Sequence, residues 1–255
     1  MTRILALTRN TIREVMRERV VLILALFGAA LVVGSQVLSP LALGEGRKVV
    51  IDFGLAGSAS LATILTIFLG SSLLHKELER KTVYSVLAKP IGRGEFLLGK
   101  FFGLWFTTSM LLVGMTAILL VLVTVSYRST PWHILGSAGL SVVELGIATA
   151  LVTLLSSFTT PALTAFFAVG LTVAGHFAED LRYFASQGAA EPVRALAQAG
   201  YWALPHLSLY NVRGLVVHDL PVGQERFLFA TAYGVLYVAG ILVLATTIFR
   251  RREFR

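Results

Sequence analysis

One stretch of the sequence comes close to a nucleotide-binding motif. Residues 94–101 read GEFLLGKF and match the GxxxxGK pattern of a phosphate-binding loop. Such a loop needs Ser or Thr directly after the lysine to hold magnesium, and a buried strand before it. Here Phe101 follows the lysine, bulky residues separate the glycines, and no strand pattern precedes them. We therefore predict that this chain binds no nucleotide itself.

The histidines show no catalytic or metal-binding pattern. There are five: His75, His133, His176, His206 and His218. None is paired with another histidine or with an acid at metal-ligand spacing on one recognisable helix. The GxSxG and HExxH motifs are absent, and there is no cysteine to form a disulfide or a thiolate ligand. We predict interfacial or packing roles for the histidines, and a chain that is not an enzyme and holds no metal or cofactor.

Glu144 is the one acidic residue deep within the long apolar run 134–178. Burying a carboxylate in lipid costs at least about 2.5 kcal/mol, so its side chain should face the interior of a helix bundle, a cavity or a partner. Two interpretations have equal weight. Glu144 is either a pathway or gating residue, or it makes an interhelical hydrogen bond that fixes the packing.

The composition is that of an integral membrane protein. The 255 residues are 56% hydrophobic and 14% charged, with a mean hydropathy of +0.78, whereas soluble domains contain about 25% charged residues. The net charge of +8 would indicate nucleic acid in a soluble protein. Here the cations flank apolar runs, where they orient the chain and meet anionic lipid head groups. We therefore expect a lipid membrane, and no nucleic acid, as a partner.

Apolar runs divide the chain into six predicted membrane spans. The runs are long enough to cross about 30 Å of hydrocarbon, and Pro161, which follows several hydroxyl residues, divides the longest run in two. The predicted spans are about 20–43, 53–74, 101–127, 134–157, 161–177 and 227–249. The sequence thus predicts an all-α integral membrane protein with a single transmembrane domain, 1–255.

Two further segments are predicted to be helical outside the spans. Residues 1–19 are expected to form an amphipathic helix at the membrane interface, with four apolar side chains on one arc and a stripe of arginines beside them. The apolar residues are Leu5, Ile12, Val15 and Met16, and the arginines are Arg9, Arg13 and Arg17. The alternative is a simple extension of the first span. Residues 178–226 are expected to form short helices before the sixth span.

Six spans place both termini on the same side of the membrane. If that side is the cytoplasm, fifteen Lys and Arg residues lie inside and seven lie outside. Cytoplasmic loops normally carry this excess of cations. We therefore expect both termini and residues 75–100 to be cytoplasmic, and residues 178–226 to be extracytoplasmic.

The stretch 75–100 is strongly charged and lies between two long apolar runs. Glu77 and Lys81 form a favourable i, i+4 pair. An apolar ridge lies on the same short helix, which must end near Pro90 because proline restricts the residue before it. The ridge consists of Val83, Val86 and Leu87. The stretch is either a solvated loop that orients the spans or a helix whose ridge fits a groove on a partner protein.

This stretch resembles a segment of the membrane subunits of type-2 ABC transporters, the exporter-like permeases. The resemblance is carried by three runs: HKELERKTVY (75–84), LAKPI (87–91) and RGEFLLGKF (93–101). An N-terminal interfacial helix, six spans and a polar segment before the last span are also typical of that family. In the family, the loop after the second span forms a coupling helix that seats in a cleft of the ATPase.

By this resemblance, the chain is expected to be the permease subunit of an ATP-binding cassette transporter. It would export or mechanically release a substrate by using ATP hydrolysis on a separate subunit. The residues implied in ATPase coupling are Glu77, Glu79, Arg80, Lys81, Thr82, Tyr84 and Val86. The resemblance also implies two ATPase subunits that bind ATP and Mg, a homodimer of the permease, the inner membrane of a prokaryote, and room for accessory periplasmic or membrane subunits.

The alternative is an ATP-independent secondary transporter or a membrane scaffold subunit. A secondary transporter would need ionisable pairs or broken helices near the membrane midplane. Only Glu144 and the break at Ser156–Pro161 meet that requirement in the sequence. The residues do not indicate which substrate is moved.

Overall fold

The computed structural model describes residues 2–38, 44–79, 92–186 and 191–251. Every regular element within these ranges is a helix, which confirms the predicted all-α class for the described part. The helices are α1 (Thr2–Met16), α2 (Arg19–Leu38), α3 (Gly46–Glu79), α4 (Arg93–Tyr127), α5 (His133–Ser156), α6 (Pro161–His176), α7 (Ala178–Ser186), α8 (Glu191–Ala203), α9 (Arg213–Val217) and α10 (Gln224–Arg251). A 3-10 turn, Leu207–Tyr210, precedes α9.

Four helices are long and apolar enough to cross a membrane: α3, α4, α5 and α10. The helices α1 and α2, which meet at 68°, supply a fifth if the bent pair counts as one crossing. Helix α6 is apolar but has only 16 residues, which is about 24 Å at 1.5 Å per residue. The described residues therefore contain four or five candidate spans, and the count of six stays a prediction. The last part of the predicted span 20–43, residues 39–43, lies outside the described residues.

Large apolar side chains cover the outside of the bundle. Leu22, Leu26 and Val37 of α2 are exposed, as are Leu228 and Leu236 of α10. Soluble proteins rarely expose contiguous apolar surface on this scale, because water solvates it poorly. A bilayer solvates such a surface well, so the pattern is consistent with a helical membrane protein.

Helix α5 lies at the centre of the bundle. In its most apolar stretch 67% of the residues are buried, against 17% in α10. The helices α3, α4, α6 and α10 all pack against it. Nε1 of Trp105 in α4 donates to the carbonyl oxygen of Val142 at 2.9 Å, and Gly146 leaves room for the indole ring. Polar groups on α5 are therefore held inside the bundle.

A four-residue break, residues 157–160, separates the helices α5 and α6. Helix α5 ends at Ser156, and Pro161 occupies the first turn of α6, where a missing N–H is tolerated. The hydroxyls of Ser157 and Thr159 donate to the carbonyl oxygens of Leu154 and Leu155, at 2.6 and 2.8 Å. These bonds satisfy carbonyls that a helix end leaves without partners, so the break is stable inside an apolar bundle.

The helices α3 and α4 extend beyond the spans predicted for them. They have 34 and 35 residues, or about 51 and 53 Å at 1.5 Å per residue, compared with about 30 Å of hydrocarbon. Helix α3 begins at Gly46 and α4 at Arg93, earlier than predicted. The reason is that hydropathy marks only the part of a helix that lies in hydrocarbon, whereas Glu, Lys and Arg continue a helix readily.

The two ends of the bundle differ. At the end that we call the α9 end, α9 packs on the beginnings of α3 and α5 through Val216, Val50 and Ile134. At the opposite end, the α1 end, α1 packs along the first half of α4. The ends of α3 and α4 that flank residues 80–91 also lie at the α1 end, because both helices run the length of the bundle.

Helix α1 uses a different face from the apolar arc predicted for it. Thr11 and Val15 are buried against the bundle, whereas Leu5 and Met16 are 72% and 46% exposed. Only Val15 belongs to both the predicted arc and the packed face. The arginine stripe is exposed on the far side. Helix α1 therefore has three faces, one packed on protein, one apolar and exposed, and one basic.

Candidate functional site

A cavity of about 340 Å³ lies between α3, α5 and α6 toward the α9 end. The 3-10 turn and the start of α9 border it. It opens on one side of the bundle, because Ile64, Val173 and Phe177 in its lining are 43%, 52% and 60% exposed. Ligand sites have volumes of roughly 300–1,000 Å³, so this cavity is large enough for a small ligand or for part of a larger one.

An ion pair between α5 and α6 lies in the cavity wall. Oε1 of Glu144 is 3.1 Å from Nε2 of His176, and only 13% of the Glu144 side chain is exposed. The other ring nitrogen, Nδ1, is 2.9 Å from the carbonyl oxygen of Thr172. Because a carbonyl oxygen only accepts, Nδ1 carries a proton, and one further proton is shared between Nε2 and Oε1. The pair is therefore neutral as a unit, whichever of the two atoms holds that proton.

Arg213, the first residue of α9, adds a charge to the same cavity. Its Nε donates to Oδ1 of Asn211 at 3.1 Å. Its two terminal nitrogens make no hydrogen bond to any residue that the structure describes. Since the pair of Glu144 and His176 is neutral, Arg213 gives the cavity a net positive charge.

Besides Thr172, whose hydroxyl donates to the carbonyl oxygen of Ala168, four serine and threonine side chains line the cavity: Ser60 and Thr63 from α3, and Ser137 and Ser141 from α5. Ser137 is only 2% exposed. Within the described ranges none of the four donates to or accepts from another protein group. These hydroxyls open on the cavity, so they can form hydrogen bonds to a ligand or to water there.

Close packing holds the 3-10 turn against the cavity. The hydroxyl of Tyr210 donates to the carbonyl oxygen of Ala230 in α10 at 2.9 Å. Burial raises the pKa of Tyr210, so its hydroxyl stays protonated and keeps this bond. Gly175 of α6 lies directly under the preceding residues, since a Cβ there would come 2.7 Å from the carbonyl oxygen of Pro205. The wall that carries Arg213 is therefore fixed to both α6 and α10.

The position of Glu144 has a feature of each of the two sequence-based interpretations. The side chain makes an interhelical contact, and it also lines a cavity. Sequence reasoning did not place Tyr210 or Arg213 at this site, and it assigned His176 an interfacial or packing role. A depth argument could have found His176. Glu144 lies twelve residues before the end of α5 and His176 fifteen residues after the start of α6, so adjacent antiparallel helices bring the two to a similar level.

The residues assigned to ATPase coupling lie in and after the last turns of α3. Glu77 and Glu79 belong to α3. The others lie outside the described residues: Arg80, Lys81, Thr82, Tyr84 and Val86. Glu77 lies ten residues along α3 from Ile67, the cavity-lining residue nearest to it on that helix, which is about 15 Å at 1.5 Å per residue. The coupling assignment and the cavity are therefore separate features that share one helix.

The lysine of the GxxxxGK stretch has a structural partner. Nζ of Lys100 is 2.8 Å from Oε2 of Glu14 in α1, and the lysine side chain is 5% exposed. Gly99 and Gly103 of α4 lie on either side and permit the close approach of α1. A Cβ on Gly103 would come 3.1 Å from the carbonyl oxygen of Thr8 and closer still to the Thr11 side chain. This ion pair fixes α1 to the first turns of α4, the helix that begins shortly after residues 80–91.

No protein-family model matches this sequence, and comparison with curated proteins finds no match either.

Proposed function

We propose that this chain is the membrane permease subunit of an exporter-like ATP-binding cassette transporter. A separate ATPase subunit would bind ATP and Mg and supply the energy. The observation that carries the proposal is the charged stretch 75–101, which links the two longest helices at one end of the bundle and resembles the coupling segment of type-2 permeases.

The arrangement of helices around that stretch supports its use as a lever. It is continuous with α3 on one side and with α4 on the other, and both helices extend well past the thickness of hydrocarbon. The contact between Lys100 and Glu14 ties α1 to the same place. A push on the ends of α3 and α4 that flank residues 80–91 would therefore move α1, α3 and α4 together.

The lever would act on the cavity through α3. Helix α3 supplies Ser60, Thr63 and Ile64 to the cavity and ends at the coupling stretch. A tilt of α3 relative to α5 and α6 changes the width of the cavity opening. ATP binding favours one state because the ATPase contacts the stretch differently in its two conformations, which is how a ligand biases a two-state equilibrium.

The remaining features of the proposal follow from charge and from the family resemblance. They are six spans with α2 and α6 included, both termini and residues 75–100 in the cytoplasm, and a prokaryotic inner membrane. The permease would act as a homodimer above two ATPase subunits, with accessory periplasmic or membrane subunits as further partners. The excess of Lys and Arg at the α1 end supports this orientation.

Co-purification with the ATPase tests the proposal. We expect Glu79→Arg and Val86→Asp each to reduce the amount of ATPase that copurifies by roughly tenfold, since each places a charge of the wrong sign or a buried charge in the contact. Glu191→Arg is the matched control. Glu191 is exposed at the start of α8, in the segment that the proposal assigns to the extracytoplasmic side of the membrane. Full ATPase association and full transport by both lever variants would show that the lever is wrongly assigned.

One observation favours a second candidate, a secondary transporter. The pair of Glu144 and His176 lies between α5 and α6, and it is the kind of ionisable pair that proton-coupled transporters use. This candidate predicts transport by the purified chain in vesicles under a proton gradient alone. The ABC permease predicts no transport there until the ATPase and ATP are added.

A further inference from the structure

We propose that the cavity between α3, α5 and α6 binds a membrane amphiphile with an anionic head group. The head group would pair with Arg213, and the acyl chain would leave through the opening between α3 and α6. That the amphiphile is cargo rests on the proposed function, whereas its binding does not.

The sign of the head group follows from the charges in the wall. Only three lining residues can carry charge: Glu144, His176 and Arg213. Glu144 and His176 together form one neutral pair, so neither needs a charged group of a ligand as its partner. The guanidinium of Arg213 has two terminal nitrogens without a protein acceptor in the described ranges, and a planar guanidinium binds carboxylate or phosphate through two parallel bonds. A cationic ligand would instead have to displace His176 from Glu144.

The hydroxyls fit the same head group. Ser137 is buried and has no partner within the described residues, and Ser60, Thr63 and Ser141 line the same space. Hydroxyl groups can donate to the oxygens of a carboxylate, a phosphate or an ester. They are therefore suited to the polar part of a lipid, including the ester region next to its head group.

The rest of the lining fits an acyl chain. Apolar side chains make up much of the remaining lining, with Ile67 from α3 and Val169 from α6 facing the same space. A cavity of about 340 Å³ holds a head group and the first part of a chain but not a whole lipid. The exposed residues Ile64, Val173 and Phe177 continue the apolar surface outward. A chain leaving there would pass into the surrounding hydrocarbon without crossing a polar barrier.

Photolabelling of the purified permease, without any ATPase, tests this inference. The probe is an oleate analogue with a diazirine in its chain, and the readout is mass spectrometry of the labelled peptides. We expect labels on α3 within 55–67 and on α6 within 169–177. Arg213→Gln should reduce this labelling about tenfold, in line with the loss of a charge-assisted hydrogen bond, and Arg213→Lys should retain most of it. Arg226→Gln is the control, because Arg226 is an exposed arginine outside the cavity.

Competition distinguishes the sources of the head group. Unlabelled oleate and dioleoyl phosphatidate should both compete, monoolein should compete at least tenfold less well, and acetate or inorganic phosphate should not compete at the same concentration. Equal competition by monoolein, or competition by phosphate alone, would overturn the inference, as would labelling that is unchanged in Arg213→Gln. Labelling that disappears when two copies are cross-linked through α3 would assign the opening to a second copy and also overturn it. Because no ATPase is present, these outcomes are independent of the ATPase association that tests the proposed function.

Discussion

The two ends of the bundle each contain a largely buried ion pair between helices, and the two pairs have opposite surroundings. At the α1 end, Lys100 and Glu14 lie in close helix packing, with Gly99 and Gly103 on the same face of α4. Toward the α9 end, Glu144 and His176 border open space, with unpaired hydroxyls and Arg213 nearby. One pair lies in a close contact between two helices, and the other faces a cavity.

Under the proposed function, this difference separates an end that would transmit force from an end that would bind a ligand. Close packing has low compressibility and transmits displacement, so a push at the α1 end reaches α3 and α4 as rigid-body motion. A cavity with polar groups that lack protein partners can gain free energy from a ligand. The predictions below break or sharpen this comparison, starting with the largest expected effect.

The largest effect is expected from filling the contact between α1 and α4. Gly103→Leu should destabilise the protein by about 3 kcal/mol, because the new side chain overlaps Thr11 and the backbone of Thr8. The unfolding temperature in detergent measures the change. Gly114→Leu on the same helix is the control, since no atom lies within 4 Å of its added Cβ and the site is exposed. An equal loss in both variants would remove the case for a close contact at Gly103.

The second effect compares the two ion pairs directly. Lys100→Met should cost about 2 kcal/mol, less than the 3–5 kcal/mol of a fully buried pair because Glu14 is 35% exposed. His176→Ala should cost only about 1 kcal/mol, because Glu144 borders the cavity, where water can replace the lost hydrogen-bond partner. Both values come from unfolding in the same detergent. If His176→Ala were the more destabilising of the two, the pair at the cavity would be the structural one.

The smallest effect concerns the surface at the α9 end, where Arg47 binds Asp219 through two hydrogen bonds, one of them 2.8 Å long. The guanidinium lowers the pKa of Asp219. A carboxylate with a lowered pKa stabilises the fold above its usual pKa, and this contribution is lost as the pH falls through the lowered value. Asp219→Asn should therefore cost at most about 0.5 kcal/mol at pH 7, as for other surface pairs.

The same small loss is expected at pH 5, with none once the pH is below the lowered pKa. Asn is the suitable replacement because residue 219 has a φ of 56°, which Asn tolerates. A loss that grows as the pH falls from 7 to 5 would contradict this assignment of charge.

Much of the fold follows from the sequence, for physical reasons that particular residues illustrate. Uncharged runs predict apolar helices, and Pro161 after several hydroxyl residues predicts the break that separates α5 from α6. The extent of α3 and α4 does not follow, because hydropathy changes where hydrocarbon ends and helix propensity does not. The face of α1 that packs was also predicted wrongly. It depends on where glycines on α4 allow a close approach, and the sequence of α1 alone does not show this.

The candidate site was predictable only in part. Glu144 is conspicuous because a carboxylate in an apolar run requires an explanation. Its partner His176 lies 32 residues away on another helix, and Arg213 reaches the cavity from a five-residue helix that hydropathy does not detect. Both depend on which helices are neighbours, and a single sequence does not specify that.

The central claim is that residues 75–100 receive force from an ATPase. The most direct test is to determine which side of the membrane these residues face. The chain has no cysteine, so Val86→Cys and Val193→Cys each introduce a single thiol that a membrane-impermeant maleimide can report. The account predicts that Cys at 193 reacts in intact cells. Cys at 86 should not react in intact cells but should react in inverted vesicles. Binding of the ATPase to those vesicles should protect it. Reaction at position 86 from the outside of intact cells would contradict the account.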